Sequence, residues 1–315
     1  MIISILILLA GLVLLTLGAK WLVEGSSALA IGLGIRPIIV GMTVIAFGTS
    51  MPEFVFNLAA TLKGSNDLGL GNIVGSNIAN IGLVLGISAL IQPIKIDKKL
   101  IKVEYPFVFG TSVLFFLLAL DGEIGFIDGI ILSVIFVIFL WYMFKNSAVV
   151  EGDLLAELPK EVDKSETPKH IGYSVLGLVL LISGARLMVE SAVDIARALE
   201  IPELVIGLTI IAIGTSLPEL AASVVSTLKQ EADISLGNVL GSNIFNILFV
   251  IGILSLFMPT LAEGSTTLTL HFPAMLVMTA LLYPLLLLKT HISRLDGFLF
   301  LVLYVAYMVL CYTIG

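Results

Sequence analysis

The sequence has 315 residues, of which 58% are hydrophobic and only 12% are charged, and its mean hydropathy is +1.13. A soluble domain carries about 25% charged residues. The charges here are too few to cover a soluble globule, so lipid must surround most of the chain. The net charge of −7 says little about partners, because much of it lies in residues 145–170. No basic patch with interleaved aromatics suggests a nucleic-acid partner. The single cysteine, Cys311, excludes a disulfide framework and a thiolate metal site.

Ten segments are long and apolar enough to cross about 30 Å of hydrocarbon as helices, which takes roughly 20 residues each. The first is interpreted as a span and not a signal peptide, because it lacks a basic leading region and continues into further membrane-like sequence. The third and eighth are rich in Gly, Ser and Asn, so we expect them inside the bundle. The predicted spans are 2–22, 37–62, 69–93, 103–120, 126–144, 171–195, 203–228, 235–258, 268–288 and 297–314.

Lysine and arginine are distributed unequally between the two ends of these spans. Ten is an even number, so both termini lie on one side, and only Lys63, Arg186 and Arg197 of the 16 basic residues fall there. By the positive-inside rule, the termini are extracellular and residues 145–170 form a cytoplasmic loop of a multi-pass cell-membrane protein. That loop contains six acids and four lysines, a composition typical of a solvated linker.

The chain carries the same pattern twice, at a constant offset of 166 residues. Residues 11–93 align with 177–259 without a gap, and Gly41–Glu53 is identical to its copy at nine of 13 positions. Each copy holds five spans, and because five is odd the second copy must cross the membrane in the opposite direction. Inverted repeats with interrupted helices are the architecture of many secondary transporters. The alternative is a duplicated scaffold without a transport role.

The predicted fold is an all-α membrane protein of ten transmembrane helices, arranged as two inverted five-helix repeats in which helices 2 and 7 are broken. The predicted domains are a first repeat at 1–144, the cytoplasmic linker at 145–170, and a second, inverted repeat at 171–315.

Each repeat places the pattern Gly-Thr-Ser-x-Pro-Glu in the middle of an apolar span. Pro52 has no N–H to donate to the carbonyl of Gly48, so the helix should break there and expose backbone oxygens beside two hydroxyls. A carboxylate at mid-bilayer costs several kcal/mol and usually marks an ion or proton path. We therefore predict that Glu53 and its copy Glu219 bind ions. The alternative is that the prolines merely kink two packed helices.

The groups around these carboxylates are hydroxyls, carboxamides and carbonyls, with no His or Cys nearby. An all-oxygen site excludes typical zinc or copper chemistry and favours a hard cation such as Ca²⁺. Two glutamates neutralise one Ca²⁺ or two Na⁺. Exchange requires a site that binds either Ca²⁺ or Na⁺ but not both at once. We expect Thr43 and Thr209 to bond their own helices. Four further asparagines could bind ions or join helices, and we favour the second role because polar residues commonly pack membrane helices together: Asn72, Asn77, Asn238 and Asn243.

The paired Gly-Thr-Ser-x-Pro-Glu and Gly-Asn-x-x-Gly-Ser-Asn-Ile-x-Asn segments resemble the two alpha repeats of the cation/calcium antiporter superfamily, and most closely its prokaryotic sodium/calcium exchangers. The resemblance implies a transporter and not an enzyme, without a cofactor, that exchanges Na⁺ for Ca²⁺ electrogenically by alternating access. It places the ions at the midplane between Glu53 and Glu219, and has the first helix of each repeat slide against the rest. The other implied ligands are Thr49, Ser50, Ser76, Asn80, Thr215, Ser216, Ser242, Asn246, and the carbonyls of Ala46 and Ala212.

Two other transport functions stay open at this point. Proton/calcium exchange would use Glu53 or Glu219 as the proton carrier, and a passive cation channel would also tolerate discontinuous helices. Some relatives carry aspartate where this chain has Asn80 or Asn246, and the neutral residues here weaken the case for potassium co-transport. The expected partners are the lipid bilayer and the transported Ca²⁺ and Na⁺, and no obligate protein partner is evident.

Overall fold

The computed structural model describes residues 1–62, 66–96, 100–146, 166–199, 212–261, 267–289 and 291–314, and within them the chain is almost entirely helical. Two short antiparallel ladders join loops, β1 (Ile94–Lys95) with β4 (His291–Ile292) and β2 (Glu123–Ile124) with β3 (Thr260–Leu261). The helices are α1 (Ile2–Leu33), α2 (Pro37–Thr49), α3 (Met51–Leu62), α4 (66–91), α5 (Leu100–Asp121), α6 (Phe126–Lys145), α7 (Thr167–Ala198), α8 (Ala212–Thr215), α9 (Leu217–Leu228), α10 (Ala232–Ser255), α11 (Thr267–Leu288) and α12 (Arg294–Ile314).

Eight helices within the described ranges are long and apolar enough to cross a membrane, and the pair α2 and α3 counts as a ninth when taken as one broken span. The tenth predicted span, 203–228, is described only from Ala212 onward, as α8 and α9. The all-helical membrane class is therefore confirmed. The full count of ten, with its inverted repeat, stays a prediction.

Among the eight long spans found in the described ranges, α4 and α10 are the most deeply buried, as predicted from their Gly, Ser and Asn content. In the most apolar stretch of each, 78% and 89% of residues are buried, against 22–39% in the other long spans. Both change from α-helical to π-helical pairing along their length, α4 at Asn80–Leu85 and α10 at Phe245–Ile251. Such π segments occur frequently at functional sites.

α1 and α7 extend well past the spans predicted for them, 2–22 and 171–195. Each has 32 residues, which corresponds to about 48 Å of helix at 1.5 Å per residue. Hydropathy falls after Leu22 because Glu24, Ser26 and Ser27 follow, but Ser26 and Ser27 are buried and the helix continues. α7 begins at Thr167, inside the predicted linker 145–170, and Pro168 lies in its first turn, where proline favours helix initiation. The linker stays a prediction.

Contacts within the chain define two compact units that do not follow the two halves of the sequence. The first unit comprises Met1–Thr49 and Trp141–Asn238, and the second comprises Ser50–Leu140 and Val239–Gly315. The predicted domain boundaries at 144 and 171 follow the duplication of the sequence, and they stay a prediction. In the second unit the core includes ring contacts such as Phe54–Phe249 and Phe136–Phe245. The core of the first unit includes Leu15, Ala19, Leu22, Ile45, Leu181, Ala185, Ala222 and Ile234.

Within the first unit, α1 and α7 pack against each other along a seam of glycines. A methyl group at Gly18 would overlap the backbone of Gly177 and Leu181, and one at Gly177 would overlap the backbone of Gly18 and Leu22. Gly11 meets Gly184 in the same way one heptad away. Small residues at this spacing let the backbones of membrane helices approach closely. The seam joins the first helix of each repeat into one pair.

The turn between α9 and α10 holds Glu231, a half-buried acid outside the spans. Burial raises the pKa of its carboxyl, while a hydrogen bond from Ser27 and the charge of Lys229 oppose that shift. Ionising Glu231 therefore costs folding free energy, and this cost grows as the pH rises from the unfolded-state pKa through the higher folded-state pKa.

We expect Glu231→Gln to raise the apparent Tm by about 2 °C at pH 8 and by less at pH 4.5, because the raised pKa leaves more of the native carboxyl protonated at the lower pH. Thermal unfolding of the detergent-solubilised protein at both pH values measures the effect. The exposed Glu123, changed to Gln, is the matched control. An equal gain at both pH values would show that the ionised carboxylate is not the cause.

Candidate functional site

The two Gly-Thr-Ser-x-Pro-Glu segments each contain a one-residue helix interruption. α2 ends at Thr49 and α3 begins at Met51, and in the second repeat α8 ends at Thr215 and α9 begins at Leu217. The serine between them supplies the first helical acceptor: the N–H of Phe54 donates to the carbonyl of Ser50 (3.1 Å). The N–H of Leu220 donates to the carbonyl of Ser216 at 3.0 Å in the same way.

Because of this restart, Glu53 and Glu219 lie in the first turns of α3 and α9. Free N–H groups and the positive end of the helix dipole stabilise a carboxylate in that position. Both glutamates are 0% exposed. Each interrupted helix thus holds a buried acid close to a break in backbone hydrogen bonding.

In the second unit, Glu53 is surrounded by hydroxyl and amide groups. The hydroxyl of Ser76 donates to Glu53 Oε1 at 3.4 Å. The amide of Asn57 donates to the backbone carbonyl of Glu53 (2.8 Å) and to Asn72 Oδ1 (2.9 Å). Asn72 therefore joins two helices as predicted, and Asn57 fixes the backbone at the glutamate.

In the first unit, Asn238 organises the surroundings of Glu219. Its amide donates to the carbonyl of Glu219 (3.2 Å) and to the hydroxyl of Ser223 (2.9 Å). Its Oδ1 accepts from the hydroxyl of Thr49 at 3.1 Å, and that hydroxyl also lies 3.4 Å from the carbonyl of Ala46. The donor to the glutamate carbonyl thus comes from α10 in this repeat, and from α3 in the other.

Four buried asparagines are joined to one another by hydrogen bonds in the second unit. Asn80 Nδ2 donates to Asn243 Oδ1 at 3.0 Å, and Asn246 Nδ2 donates to Asn77 Oδ1 at 3.0 Å. Asn77 and Asn243 each donate to the backbone carbonyl of the other, at 3.4 and 3.2 Å. Their role as links between helices agrees with the prediction. We call this set the asparagine quartet.

The predicted site residues are divided between the two units. The first unit contains Ala46, Thr49, Thr215, Ser216, Glu219 and the backbone of Ala212. The second contains Ser50, Glu53, Ser76, Asn80, Ser242 and Asn246. Apart from Thr215, which is half-buried, the side chains described here are buried. The hydroxyl of Thr43 donates to the carbonyl of Ile39 (2.6 Å), which confirms that this threonine bonds its own helix. Thr209 lies outside the described residues.

Asn57 and Ser223 were not identified from the sequence. They occupy the same position of the two repeats, four residues after Glu53 and Glu219. The alignment of the two repeats shows a polar residue in both copies, one helical turn beyond the acid. This pattern could have identified both residues. The structure shows their contacts: Asn57 donates to the carbonyl of Glu53, whereas Ser223 accepts from Asn238, which also donates to the carbonyl of Glu219.

Comparison with known proteins gives matches over nearly the whole chain. The sequence model of the family described as sodium/calcium exchanger protein matches residues 3–145 and 169–313. The inner membrane protein YrbG of Escherichia coli (strain K12) is 39% identical over 265 residues, which cover 82% of this chain and 81% of YrbG. The sodium/calcium exchanger MaX1 of Methanosarcina acetivorans is 31% identical over 358 residues, covering 99% of both chains. A solved structure of the sodium-calcium exchanger NCX_Mj, soaked with 10 mM Na⁺ and zero Ca²⁺, is similar with a TM-score of 0.87, at 35% identity and 98% coverage of both chains.

Proposed function

Because the chain belongs to the sodium/calcium exchanger protein family, we propose that it is a secondary active antiporter that moves Ca²⁺ against Na⁺ by alternating access. One observation carries the proposal: each repeat holds a fully buried glutamate in the first turn of a helix that restarts after a break. Buried acids at this depth are costly, and they are retained where a cation compensates the charge.

Glu53 and Glu219 together supply a charge of −2, which balances one Ca²⁺ or two Na⁺. We propose that the ions bind near the midplane between these two acids, at the meeting of the repeats, as in other transporters with inverted repeats. A third Na⁺ would depend on neutral oxygens and helix dipoles, and exchange of three Na⁺ for one Ca²⁺ is electrogenic. Asn80 and Asn246 add no charge, so the site provides no third carboxylate for a potassium ion.

Neutral oxygens complete the proposed coordination, because Ca²⁺ takes six to eight oxygen ligands. The buried carbonyl of Asn80, the carbonyl of Asn246 and the hydroxyl of Ser216 each have no hydrogen-bond partner among the described residues. A buried acceptor without a donor costs free energy that a bound cation recovers. The remaining proposed ligands are Thr49, Ser50, Ser76, Thr215, Ser242 and the carbonyls of Ala46 and Ala212.

The seam between α1 and α7 supports a moving body made of the first helix of each repeat. Helices joined at backbone contact by Gly18 and Gly177 cannot slide past each other easily, so we propose that they slide together against the rest. With the cytoplasmic side assigned by the basic residues, both termini are proposed to be extracellular and residues 145–170 cytoplasmic.

Flux measurements in proteoliposomes test this function. Vesicles loaded with Na⁺ and diluted into Na⁺-free buffer with radioactive Ca²⁺ should accumulate Ca²⁺, and an inside-positive potential should accelerate the uptake. A potassium gradient should add nothing. Uptake driven by a pH gradient and not by Na⁺ would instead establish proton/calcium exchange. Uptake that continues without any ion gradient would establish a passive channel.

A further inference from the structure

The asparagine quartet has a hydrogen-bond direction that its two backbone carbonyls dictate. A carbonyl oxygen can only accept, so the end of the Asn243 side chain that lies on the carbonyl of Asn77 must be its NH₂ group. Asn243 Oδ1 is then the end left for Asn80. By the same logic, Asn77 places its NH₂ on the carbonyl of Asn243 and its Oδ1 toward Asn246.

This direction fixes the amides of the two candidate ligands. Asn80 and Asn246 must each turn the NH₂ end toward a quartet oxygen, at 3.0 Å in both cases. Their own Oδ1 atoms are therefore directed away from the quartet, and within the described chain both are buried without a hydrogen-bond partner. All four side chains are at most 1% exposed, so water does not reorient them freely.

We propose that Asn77 and Asn243 are positioning residues for ion binding: they hold Asn246 and Asn80 with the carbonyl oxygen, and not the NH₂ group, facing the cation. This inference rests on the proposed function, in which Asn80 and Asn246 are ligands. A neutral carboxamide needs such a device, because its two ends have opposite polarity and similar shape. A rotated amide would direct partly positive hydrogens at the ion. A carboxylate does not need it, because both of its ends accept.

The difference between carboxamide and carboxylate gives a test by double-mutant cycles. Asn77→Ala removes the acceptor for Asn246 but keeps the backbone carbonyl that orients Asn243. We expect it to weaken Ca²⁺ binding about tenfold, the effect of one lost buried hydrogen bond together with a rotated ligand. In an Asn246→Asp background the same change should alter the Kd less than about twofold, because the carboxylate presents an oxygen in either rotamer. Calorimetric titration of the detergent-solubilised full chain with CaCl₂ measures each Kd.

The quartet contains a matched control, because Asn77 orients Asn246 whereas Asn243 orients Asn80. In an Asn80→Asp background, Asn77→Ala should still cost about tenfold, since Asn80 is oriented by Asn243. The mirror cycle, Asn243→Ala with Asn80→Asp, should repeat the rescue, and it provides an independent measurement if Asn77→Ala does not purify as a monodisperse protein.

Two results would overturn the inference, and they are distinguishable. If Asn77→Ala weakens binding equally in the native, Asn246→Asp and Asn80→Asp backgrounds, the quartet acts by packing alone and the proposed function is untouched. If Asn80→Asp, Asn246→Asp and Glu53→Gln all leave the Kd unchanged, the ions bind elsewhere and the proposed site fails as well.

Discussion

Replacement of Glu219 with glutamine is expected to slow sodium-driven Ca²⁺ uptake by about 100-fold, and the double change of Glu53 and Glu219 to abolish it. In the proposed site, the single substitution would lower the charge from −2 to −1, which cannot balance Ca²⁺ where water is excluded. One charge-assisted contact to a buried ion is worth about 3 kcal/mol, or two orders of magnitude in affinity. Initial uptake rates in proteoliposomes with an outward Na⁺ gradient measure the loss.

Glu104 provides the matched control for removal of a buried charge. Its side chain is 1% exposed, comparable with the 0% of Glu53 and Glu219, yet it lies in α5 outside the repeated motif. We expect Glu104→Gln to retain uptake within about twofold of the native rate, an order-of-magnitude allowance for substitution away from the site. If Glu104→Gln were as slow as Glu219→Gln, loss of any buried acid would explain the effect, and the special role of Glu219 would be refuted.

Gly177→Leu is expected to lower the apparent Tm by about 5 °C and to eliminate transport. The new side chain would meet the backbone of Gly18 and Leu22, which no rotamer change relieves, so α1 and α7 would have to separate. Overpacking of this kind costs about 3 kcal/mol, and each kcal/mol shifts the Tm of a protein of this size by about 1.5 °C. Thermal unfolding in detergent and uptake in proteoliposomes measure the two effects.

A second glycine on α7 provides a control that distinguishes loss of the helix contact from a change in helix propensity. Gly172 is exposed in α7, and a Cβ there meets nothing within 4 Å. Gly172→Leu should therefore leave both the Tm and transport near the native values. Equal losses in the two variants would show that α7 does not depend on the glycine seam.

The sequence predicted the membrane class and the interior spans because both follow from composition along the chain. A segment's free energy of transfer into lipid depends on its own residues, so hydropathy located most helices within a few positions. The polar, small residues of α4 and α10 would be costly against lipid, and both helices are the most buried of the long spans that the structure describes. The two buried glutamates were predicted from the repeat, because both copies of the motif place an acid directly after a helix-breaking proline.

Helix length departed from the prediction wherever packing opposed hydropathy. α1 continues to Leu33 past Glu24 because its later residues pack in the first unit. The ion pair between Lys229 and Glu24 adds a contact that a hydropathy window does not include. The glycines of α1 and α7 are visible in the sequence at seven-residue intervals. Their function depends on two antiparallel helices meeting at Gly18 and Gly177, which are 159 positions apart in sequence.

By itself, the sequence determined that lipid surrounds the chain, that the chain is a duplication, and that two acids stand beside helix-breaking prolines. These properties are local in sequence or repeat at a fixed offset. Only the tertiary structure decided how the oxygens are oriented. Asn77 and Asn80 belong to one repeat and Asn243 and Asn246 to the other, and the hydrogen bonds between them fix which end of the Asn80 and Asn246 amides is free. Hydrogen-bond direction depends on which atoms meet in space, so the spacing of the asparagines in the sequence could not predict it.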